Sequence, residues 1–281
     1  MREISTSQIV EQVVPLCLKA AFDLPQDMRQ ALADAARKEP SPIGQSMLDQ
    51  LVENYHVAEQ QQMPICQDTG VAVYFAEVGQ DVRITGGTLN EALAKATEEA
   101  WKKGYLRMSI VEDPLFSRKN THTNGPPIVH ISIVPGDKLN ITIAPKGGGS
   151  ENMSKLAMLK PTVGAPVVAD FIVESVIAAG GNPCPPIVVG VGIGGNFEVA
   201  PLLAKKALLR HLGDPHPDPQ YAEFEKMLLG RINASGIGPQ GLGGRTTAIA
   251  VHIEHHPCHM ASLPVAVNIN CHASRHASLE I

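Results

Sequence analysis

The sequence predicts a mixed α/β (α+β) fold, in which a helical N-terminal segment precedes a mixed sheet with flanking helices. Three observations lead to this prediction. Helical spacing of apolar residues dominates the stretch 1–62, short runs rich in Val and Ile recur after residue 70, and helical patterns alternate with those runs. Because we find no internal repeat, low-complexity tract or linker, we predict one domain over 1–281 with a helical lead-in at about 1–62.

The lead-in is predicted to contain three helices. In the first, Ile9, Val13 and Cys17 fall on one apolar face, so we expect Cys17 in the core. Ser41 and Pro42 are typical of a helix start and introduce the third helix. The helices are expected at about 4–22, 28–36 and 43–59.

The middle of the chain is predicted to alternate strands and helices. Thr88 and Glu91 stand in capping-box register and predict a helix that ends at Gly104. A Pro-Gly-Asp turn between two apolar runs predicts a hairpin, and Ser150, which follows three glycines, is a natural N-cap for a helix. The strands are expected at 71–78, 128–134 and 138–144.

The last third of the chain contains a glycine pattern, Gly190, Gly192 and Gly195, between a predicted strand and a predicted helix. The pattern matches a dinucleotide fingerprint, but we reject that interpretation because no second parallel strand ending in an acid follows the helix. We expect the glycines to allow close packing around the Cys184 loop. Helices are expected at about 165–180, 198–211 and 220–232, and strands at 187–191, 246–253 and 263–269.

Composition argues against several classes of partner. The net charge is −5, no basic run is present, and aromatic residues make up only 4% of the chain, so we expect no nucleic-acid partner. No apolar run reaches the roughly 18 residues of a membrane span, so we expect no membrane contact. The N-terminus is charged and lacks the apolar core of a signal peptide, which favours a cytoplasmic, reducing location.

The five cysteines make a poor disulfide framework, because their number is odd and their spacing is wide. Cys66, Cys184 and Cys271 each lie in a loop or at a strand end, beside Pro, Gly or Asn. Three thiolates from separate loops suit a cubane iron–sulfur cluster with one iron open. Zinc, held by the His and Cys residues of 255–276, is the competing metal, and a buried structural role is the alternative for Cys66.

Three further groups are candidates for binding an anionic substrate. Gln67 and Asp68 adjoin Cys66 on a loop before a strand, where catalytic side chains are often placed. The run Gly147–Gly149 exposes backbone N–H groups that suit a carboxylate or phosphate, although a flexible turn has a similar sequence. Arg107 is either a solvated surface residue or a bidentate partner for a carboxylate.

Five motifs together carry a resemblance to a known family. They are PICQDTG at 64–70, KGGGSENMSK at 146–155, NPCPPIVVGVGIGGNFE at 182–198, GIGPQGLGG at 236–244 and NINCH at 268–272. In this order they resemble the iron–sulfur (class I) fumarate hydratase family, in particular the α subunit of its two-subunit form. The L-tartrate dehydratase α subunit is the sister family and shares the Cys motifs and the GIGPQGL loop. In the stretch Gly-Ser-Glu-Asn, residues 149–152, the chain looks more like a fumarase.

The resemblance implies the make-up of an active site. It implies a [4Fe-4S] cluster on Cys66, Cys184 and Cys271, with an open iron that acts as a Lewis acid on malate. It implies catalytic roles for Asp68 and His259, and substrate contacts from Gln67, Arg107 and a backbone N–H of Gly147, Gly148 or Gly149. Fumarate and L-malate are the expected substrate pair, and L-tartrate and methylfumarate are alternatives. A non-catalytic metal or redox-sensing module is the rival of another class.

The resemblance also implies a partner chain. Single-chain members of the family carry a second, C-terminal domain that supplies further Arg, Lys and Thr groups, whereas this sequence ends soon after Cys271. We therefore expect a separate β subunit, an active site at the interface with it, and cluster-binding loops that converge at one end of the fold. The expected assembly is a hetero-oligomer or a homodimer of α subunits that acts on a small dicarboxylate.

Overall fold

A computed structural model describes residues Met1–Ile281. The helices are α1 Thr6–Phe22, α2 Gln26–Lys38, α3 Pro42–Gln61, α4 Leu89–Lys103, α5 Gly148–Glu151, α6 Gly164–Ala179, α7 Val199–Ala207 and α8 Pro219–Asn233. The strands are β1 Arg2–Ser5, β2 Val71–Gly79, β3 Val82–Thr85, β4 Ile128–Val134, β5 Leu139–Lys146, β6 Lys155–Leu159, β7 Ile187–Gly194, β8 Ala248–His256, β9 Leu263–Asn270 and β10 Ala277–Glu280. The predicted fold class, mixed helices and sheets after a helical lead-in, is confirmed.

The chain divides into two compact units, each made of separate chain segments. The first unit is Met1–Pro25, Tyr55–Gly148 and Arg275–Ile281, and the second is Gln26–Asn54 and Gly149–Ser274. The prediction of one domain stays a prediction. Because the chain crosses between the units several times, residues distant in sequence contribute to each of them.

The first unit packs α1 and α4 against a mixed four-stranded sheet of order β10-β5-β2-β4. Helix α1 begins at Ser5, whose side chain caps the N–H of Gln8, and α4 begins with the predicted capping box of Thr88 and Glu91. Trp101 and Tyr74 are its largest fully buried side chains. Apart from these two and Phe22, the core is aliphatic, in keeping with the low aromatic content.

The predicted hairpin of the middle strands is wrong. Strands β4 and β5 form as expected, but they do not pair with each other, since β2 lies between them. Strand β2 pairs in parallel with β4 and antiparallel with β5, so Phe75 faces His130 on one side and Thr142 on the other. A Pro-Gly-Asp turn therefore also fits a connection that passes over a third strand.

The second unit is built on a mixed sheet of order β6-β9-β7-β8, with α6 and α8 packed against the apolar face that forms its main core. Helix α7 lies close to β7: a Cβ added at Gly192 would come within 2.0 Å of the Ala200 carbonyl oxygen, and one at Gly190 within 2.1 Å of the Ala204 carbonyl oxygen. These glycines therefore allow a helix to approach the strand backbone, instead of packing around the Cys184 loop as expected.

One premise of the sequence analysis is corrected here. A second parallel strand does follow, because β7 pairs in parallel with β8 after the crossover through α7 and α8. Gly190 and Gly192 nevertheless lie inside the buried strand against α7, not in a loop at a helix N-terminus where a pyrophosphate would bind.

Two smaller details differ from the sequence analysis. The helix expected from Ser150 is the single turn α5, which starts at Gly148 and is followed by strand β6. No strand was predicted after residue 269, whereas the C-terminus contributes β10, which pairs antiparallel with β5. One helix, Pro161–Ala179, has the length and apolar composition of a membrane span, a test that core helices of soluble proteins also pass.

Candidate functional site

The Cys66–Gly70 loop is fixed at both ends within the first unit. Before it, the Ile65 N–H donates to the Ala21 carbonyl at 3.1 Å. After it, Gly70 has φ +77°, and a Cβ at this position would lie 2.7 Å from the Lys146 backbone, so only glycine fits. Cys66 and Asp68 are half-buried, and Gln67 is exposed. The loop therefore presents its side chains from a rigid backbone.

Two buried side chains join this loop to the segment that contains Arg107. The Thr69 hydroxyl donates to the Arg107 carbonyl at 2.6 Å and accepts from the Trp101 indole N–H at 3.2 Å. Asn124, which is fully buried, donates to the Gly70 carbonyl at 3.1 Å and accepts from the Ser109 N–H at 2.7 Å. Sequence analysis missed both residues, because Thr69 looked like part of a turn and Asn124 like part of a polar loop.

The Asp68 carboxylate accepts a hydrogen bond from the glycine run. Its Oδ2 accepts from the Gly148 N–H at 2.7 Å and its Oδ1 from the Gly70 N–H at 3.1 Å. A Cβ at Gly147 would approach Asp68 Oδ2 to 3.1 Å, so a side chain there would crowd the carboxylate. One N–H of the glycine run, that of Gly148, therefore donates to a carboxylate of the chain itself, and the binding of a substrate carboxylate by this run stays a prediction.

Arg275 is a further residue of this region that sequence analysis missed. It is only 4% exposed, and its Nη2 donates to the Asp68 carbonyl oxygen. Its Nε and Nη1 atoms are buried and have no hydrogen-bond partner. An arginine four residues after the last predicted cysteine ligand was the available sequence signal.

The Cys184 loop of the second unit adopts a strained conformation. Cys184 has φ +55°, a region that residues with a Cβ rarely adopt and that is enriched at functional sites, and it is exposed. The carbonyl oxygens of Cys184 and Pro185 accept hydrogen bonds from two other segments.

The Cys184 loop is held beside the strand end that contains Cys271. The His272 N–H and Nδ1 lie 3.3 Å and 3.1 Å from the Cys184 carbonyl oxygen. The same Nδ1 also lies 3.3 Å from the side-chain nitrogen of Gln240. Gln240 of the GIGPQGLGG loop donates from its backbone N–H and its side chain to the Pro185 carbonyl, at 2.8 and 2.7 Å. Three of the recognised motifs therefore meet in one hydrogen-bonded cluster.

Glu39 anchors the far end of the same glycine-rich loop. This buried carboxylate accepts from the backbone N–H groups of Arg245 and Thr246, from the Thr246 hydroxyl and from the Ser41 N–H. Burial alone would raise the pKa of the Glu39 carboxyl, but the hydrogen bonds outweigh burial and lower the pKa below its usual range. Glu39 therefore holds the loop as an ionised group.

The remaining cysteines and His259 are placed differently. Cys17 is buried against the Tyr74 hydroxyl at 3.2 Å, and burial raises its pKa to about 12, so it is a core thiol as predicted. Cys258 is exposed and donates to the Ser262 carbonyl. His259 is exposed, and its Nδ1 accepts from the Ala261 N–H at 3.1 Å. Its catalytic role stays a prediction.

Another polar network ties two of the motifs together in the second unit. Asn268 donates to the Glu151 carboxylate at 2.7 Å and to the Ser154 hydroxyl at 2.8 Å. Lys205 pairs with the same carboxylate at 2.7 Å. Glu151 and Ser154 come from the glycine-run motif and Asn268 from the NINCH motif, so this network orients the strand that leads to Cys271.

No group of three or more His, Cys, Asp or Glu side chains is gathered closely enough to hold a single metal ion. The structure thus offers no preformed zinc site in 255–276. Cys66 lies in the first unit, and Cys184 and Cys271 lie in the second.

The groups around the thiols fit an anionic iron–sulfur cluster. The Asp68 N–H points at Cys66 Sγ at 3.4 Å, a contact that stabilises a ligating sulfur. The unpaired guanidinium of Arg275 beside Asp68 suits a negatively charged neighbour. Soft thiolates are also the ligands that such clusters take in proteins.

A separate cavity of about 350 Å³ lies in the second unit. It is lined by mainly apolar residues, among them Val168, Ile193, Tyr221, Phe224 and Leu263, and by none of the predicted site residues. Its lining offers no charged group for a dicarboxylate, so we place the candidate site at the loops and not in this cavity.

Comparison with known proteins gives matches over nearly the whole chain. The model of the fumarate hydratase (Fumerase) family matches residues 10–280. A protein of Methanocaldococcus jannaschii provisionally named L(+)-tartrate dehydratase subunit alpha is 45% identical over 280 residues, covering 96% of each chain. The L(+)-tartrate dehydratase subunit alpha of Escherichia coli K12 is 34% identical over 282 residues, covering 99% of this chain and 92% of the relative. The protein of the same name from Shigella boydii serotype 4 gives the same values.

Proposed function

The chain belongs to the fumarate hydratase family of hydro-lyase α subunits, and from this premise we propose that it is the α subunit of a two-chain, [4Fe-4S]-dependent enzyme. The proposed reaction is the reversible addition of water to a four-carbon unsaturated dicarboxylate, with fumarate and L-malate as the first candidates. The partner is a separate β subunit, and the location is cytoplasmic. The names of the relatives as α subunits support the partner.

The observation that carries the proposal is the set of contacts around Asp68. One short segment combines a thiol, a carboxylate held by two glycine N–H groups, and a main chain fixed by Arg275 and Thr69. A structural cysteine beside a turn would need none of these supports. A hydro-lyase needs all of them, because the proton-transfer group must be placed to within fractions of an ångström.

Each residue has a proposed role. Cys66, Cys184 and Cys271 would hold the cluster, which when bound supplies a Lewis-acidic iron. Arg107 and Gln67, both exposed beside the fixed loop, bind and orient the substrate carboxylates. The N–H groups of Gly147–Gly149 donate to a substrate carboxylate. Asp68, released from Gly148 when substrate takes that N–H, takes part in proton transfer, and His259 is assigned a further catalytic role.

L(+)-tartrate is the second candidate substrate, because the relatives carry that name. Tartrate has one more hydroxyl group than malate, so a site built for it needs one more hydrogen-bonding partner. Methylfumarate, the third candidate, has an additional methyl group and needs extra apolar space instead.

The test is a substrate panel on the α and β chains purified together without oxygen. We expect turnover of fumarate and L-malate with a kcat/KM at least about 100-fold above that for L(+)-tartrate, the size of discrimination that polar contacts support. The reverse ratio would assign the chain to the tartrate enzymes. Turnover of none of the three by a cluster-loaded complex would contradict the proposal and favour a redox-sensing module.

A further inference from the structure

Arg275 is the most unusual charged residue of the chain. It is 4% exposed, no carboxylate forms an ion pair with it, and its Nε and Nη1 atoms are buried without a partner. Arg210, which is also largely buried, differs in that it pairs with the Glu225 carboxylate. Burying a cation without a counter-ion is costly, so such a residue is retained for a reason other than stability of the metal-free fold.

The single hydrogen bond of Arg275 shows where its charge acts. Nη2 donates to the carbonyl oxygen of Asp68, and the N–H of the same residue points at Cys66 Sγ. The Asp68 carboxylate forms no ion pair with the guanidinium, and its two oxygens accept from the N–H groups of Gly70 and Gly148. A buried positive charge is thus fixed on the backbone of Asp68, two positions along the chain from the first proposed thiolate ligand.

We propose that Arg275 is a positioning residue that supplies the buried positive charge balancing the anionic cluster at the Cys66 loop. The inference rests on the proposed function, because it needs a cluster on Cys66. In the metal-free chain the guanidinium is an uncompensated charge. A cluster bound to Cys66 would bring net negative charge close to the guanidinium, and the attraction would be strong because Arg275 is buried.

An ordinary structural arginine would stabilise the metal-free and the cluster-loaded chain alike, whereas the proposed role stabilises only the cluster-loaded chain. Arg275→Met removes the charge and keeps an unbranched apolar stem. The metal-free variant should melt at the same temperature as the metal-free wild type or higher, because an unpaired buried charge is lost. The cluster-loaded variant should gain less stability from its cluster than wild type does, and should lose the cluster to a chelator about 10- to 100-fold faster, as for other groups that support metal ligands.

The experiment compares melting temperatures of the full chain, metal-free and after anaerobic cluster loading, with iron release to a chelator as a second readout. Arg275→Lys keeps the charge and should retain most of the cluster stabilisation. Arg83→Met is the matched control, because it removes the same charge from an exposed arginine of the same unit and should behave as wild type in both forms.

The possible outcomes separate this inference from the proposed function. Wild-type chain that takes up no iron or sulfide refutes the proposed cluster itself. Wild-type chain that holds the cluster while Arg275→Met loses equal stability in the metal-free and loaded forms makes Arg275 a structural support and overturns the inference. A stability difference that appears only when a dicarboxylate is added also overturns it, since the charge would then serve the substrate.

Discussion

At the scale of single residues, buried side chains position the reactive groups by donating hydrogen bonds to the backbone around them. Thr69, Asn124 and Arg275 donate to the main-chain oxygens of Arg107, Gly70 and Asp68. None of these three side chains is exposed, and none is proposed to touch substrate. The cysteines and the Gln67-Asp68 pair could be predicted from sequence because their chemistry is visible there. The side chains that hold the backbone in place could not be predicted, since a buried Thr or Asn has no distinctive sequence pattern.

The cysteines provide the first prediction. Cys66→Ser, Cys184→Ser and Cys271→Ser should each abolish the visible absorbance of the cluster, because serine is a poor ligand for it. Cys17→Ser and Cys258→Ser are the matched controls and should retain the absorbance. Cys17 lies in the core, and Cys258 is not one of the proposed ligands. Full absorbance after replacing any of the first three would remove that residue from the ligands.

Thr69 provides the second prediction. Thr69→Val removes the hydroxyl that joins Trp101 to the Arg107 carbonyl and should lower kcat/KM of the α–β complex about 100-fold, the size of effect seen when reacting groups move by about 1 Å. The buried Trp101 indole N–H also loses its partner, while the Arg107 carbonyl keeps only the Ser109 hydroxyl at 3.3 Å, so the free energy of unfolding should fall by about 1–3 kcal/mol. Thr69→Ser keeps the hydroxyl and should restore most activity; equal kinetics for the Val variant and wild type would refute the positioning role.

At the scale of elements, most helices and strands were found from sequence, but their pairing was not. Capping residues and apolar periodicity fixed α1, α4, α6 and α8 to within a few residues. The order β10-β5-β2-β4 depends on long-range pairing, which no local turn signal reveals. The glycines of β7 were expected to allow packing around the Cys184 loop, because the sequence does not show that a Cβ at Gly192 would come within 2.0 Å of the α7 backbone.

The third prediction concerns strand β8 and helix α7. His252 of β8 is buried and lies 3.2 Å from the Ala207 carbonyl of α7, and burial, with a smaller effect of Arg210, lowers its pKa from 6.5 to about 4. The folded chain therefore keeps His252 neutral where the unfolded chain takes up a proton. Stability is fully present above pH 6.5 and is lost as the pH falls toward 4, by about 2 kcal/mol at pH 5.

Urea unfolding of wild type and His252→Asn at pH 7.5 and pH 5 checks this prediction. Asparagine can donate to the same carbonyl and does not titrate, so the variant should lose less stability between the two pH values than wild type. An equal loss in both proteins would show that His252 does not contribute to the acid sensitivity.

At the scale of the whole molecule, the two compact units divide the proposed ligands between them, with Cys66 in one and Cys184 and Cys271 in the other. Within the second unit, Gln240 and His272 already hold the Cys184 loop beside the strand end of Cys271. Family membership followed from five motifs that span most of the chain. The motifs do not identify the substrate, because the family description and the names of the relatives point to two different dicarboxylates.

The fourth prediction concerns the partner chain. A dicarboxylate needs paired donors at both ends, because an unpaired desolvated carboxylate costs several kcal/mol. Arg107 and the glycine run are the donors we assign to this chain, so the cluster-loaded chain alone should show no measurable hydration of fumarate, and addition of the β subunit should restore it. Turnover at an ordinary enzymatic rate by the chain alone would contradict the two-chain proposal.

The most direct test of the central claim is iron and acid-labile sulfide analysis of the full chain purified without oxygen, with fumarate hydration by the α–β complex measured on the same samples. We expect about four iron and about four sulfide per chain, and activity that falls in proportion to iron during exposure to air. A complex that hydrates fumarate without iron and sulfide, or that keeps full activity through prolonged aerobic handling, would contradict the claim that this chain is a cluster-dependent hydro-lyase subunit.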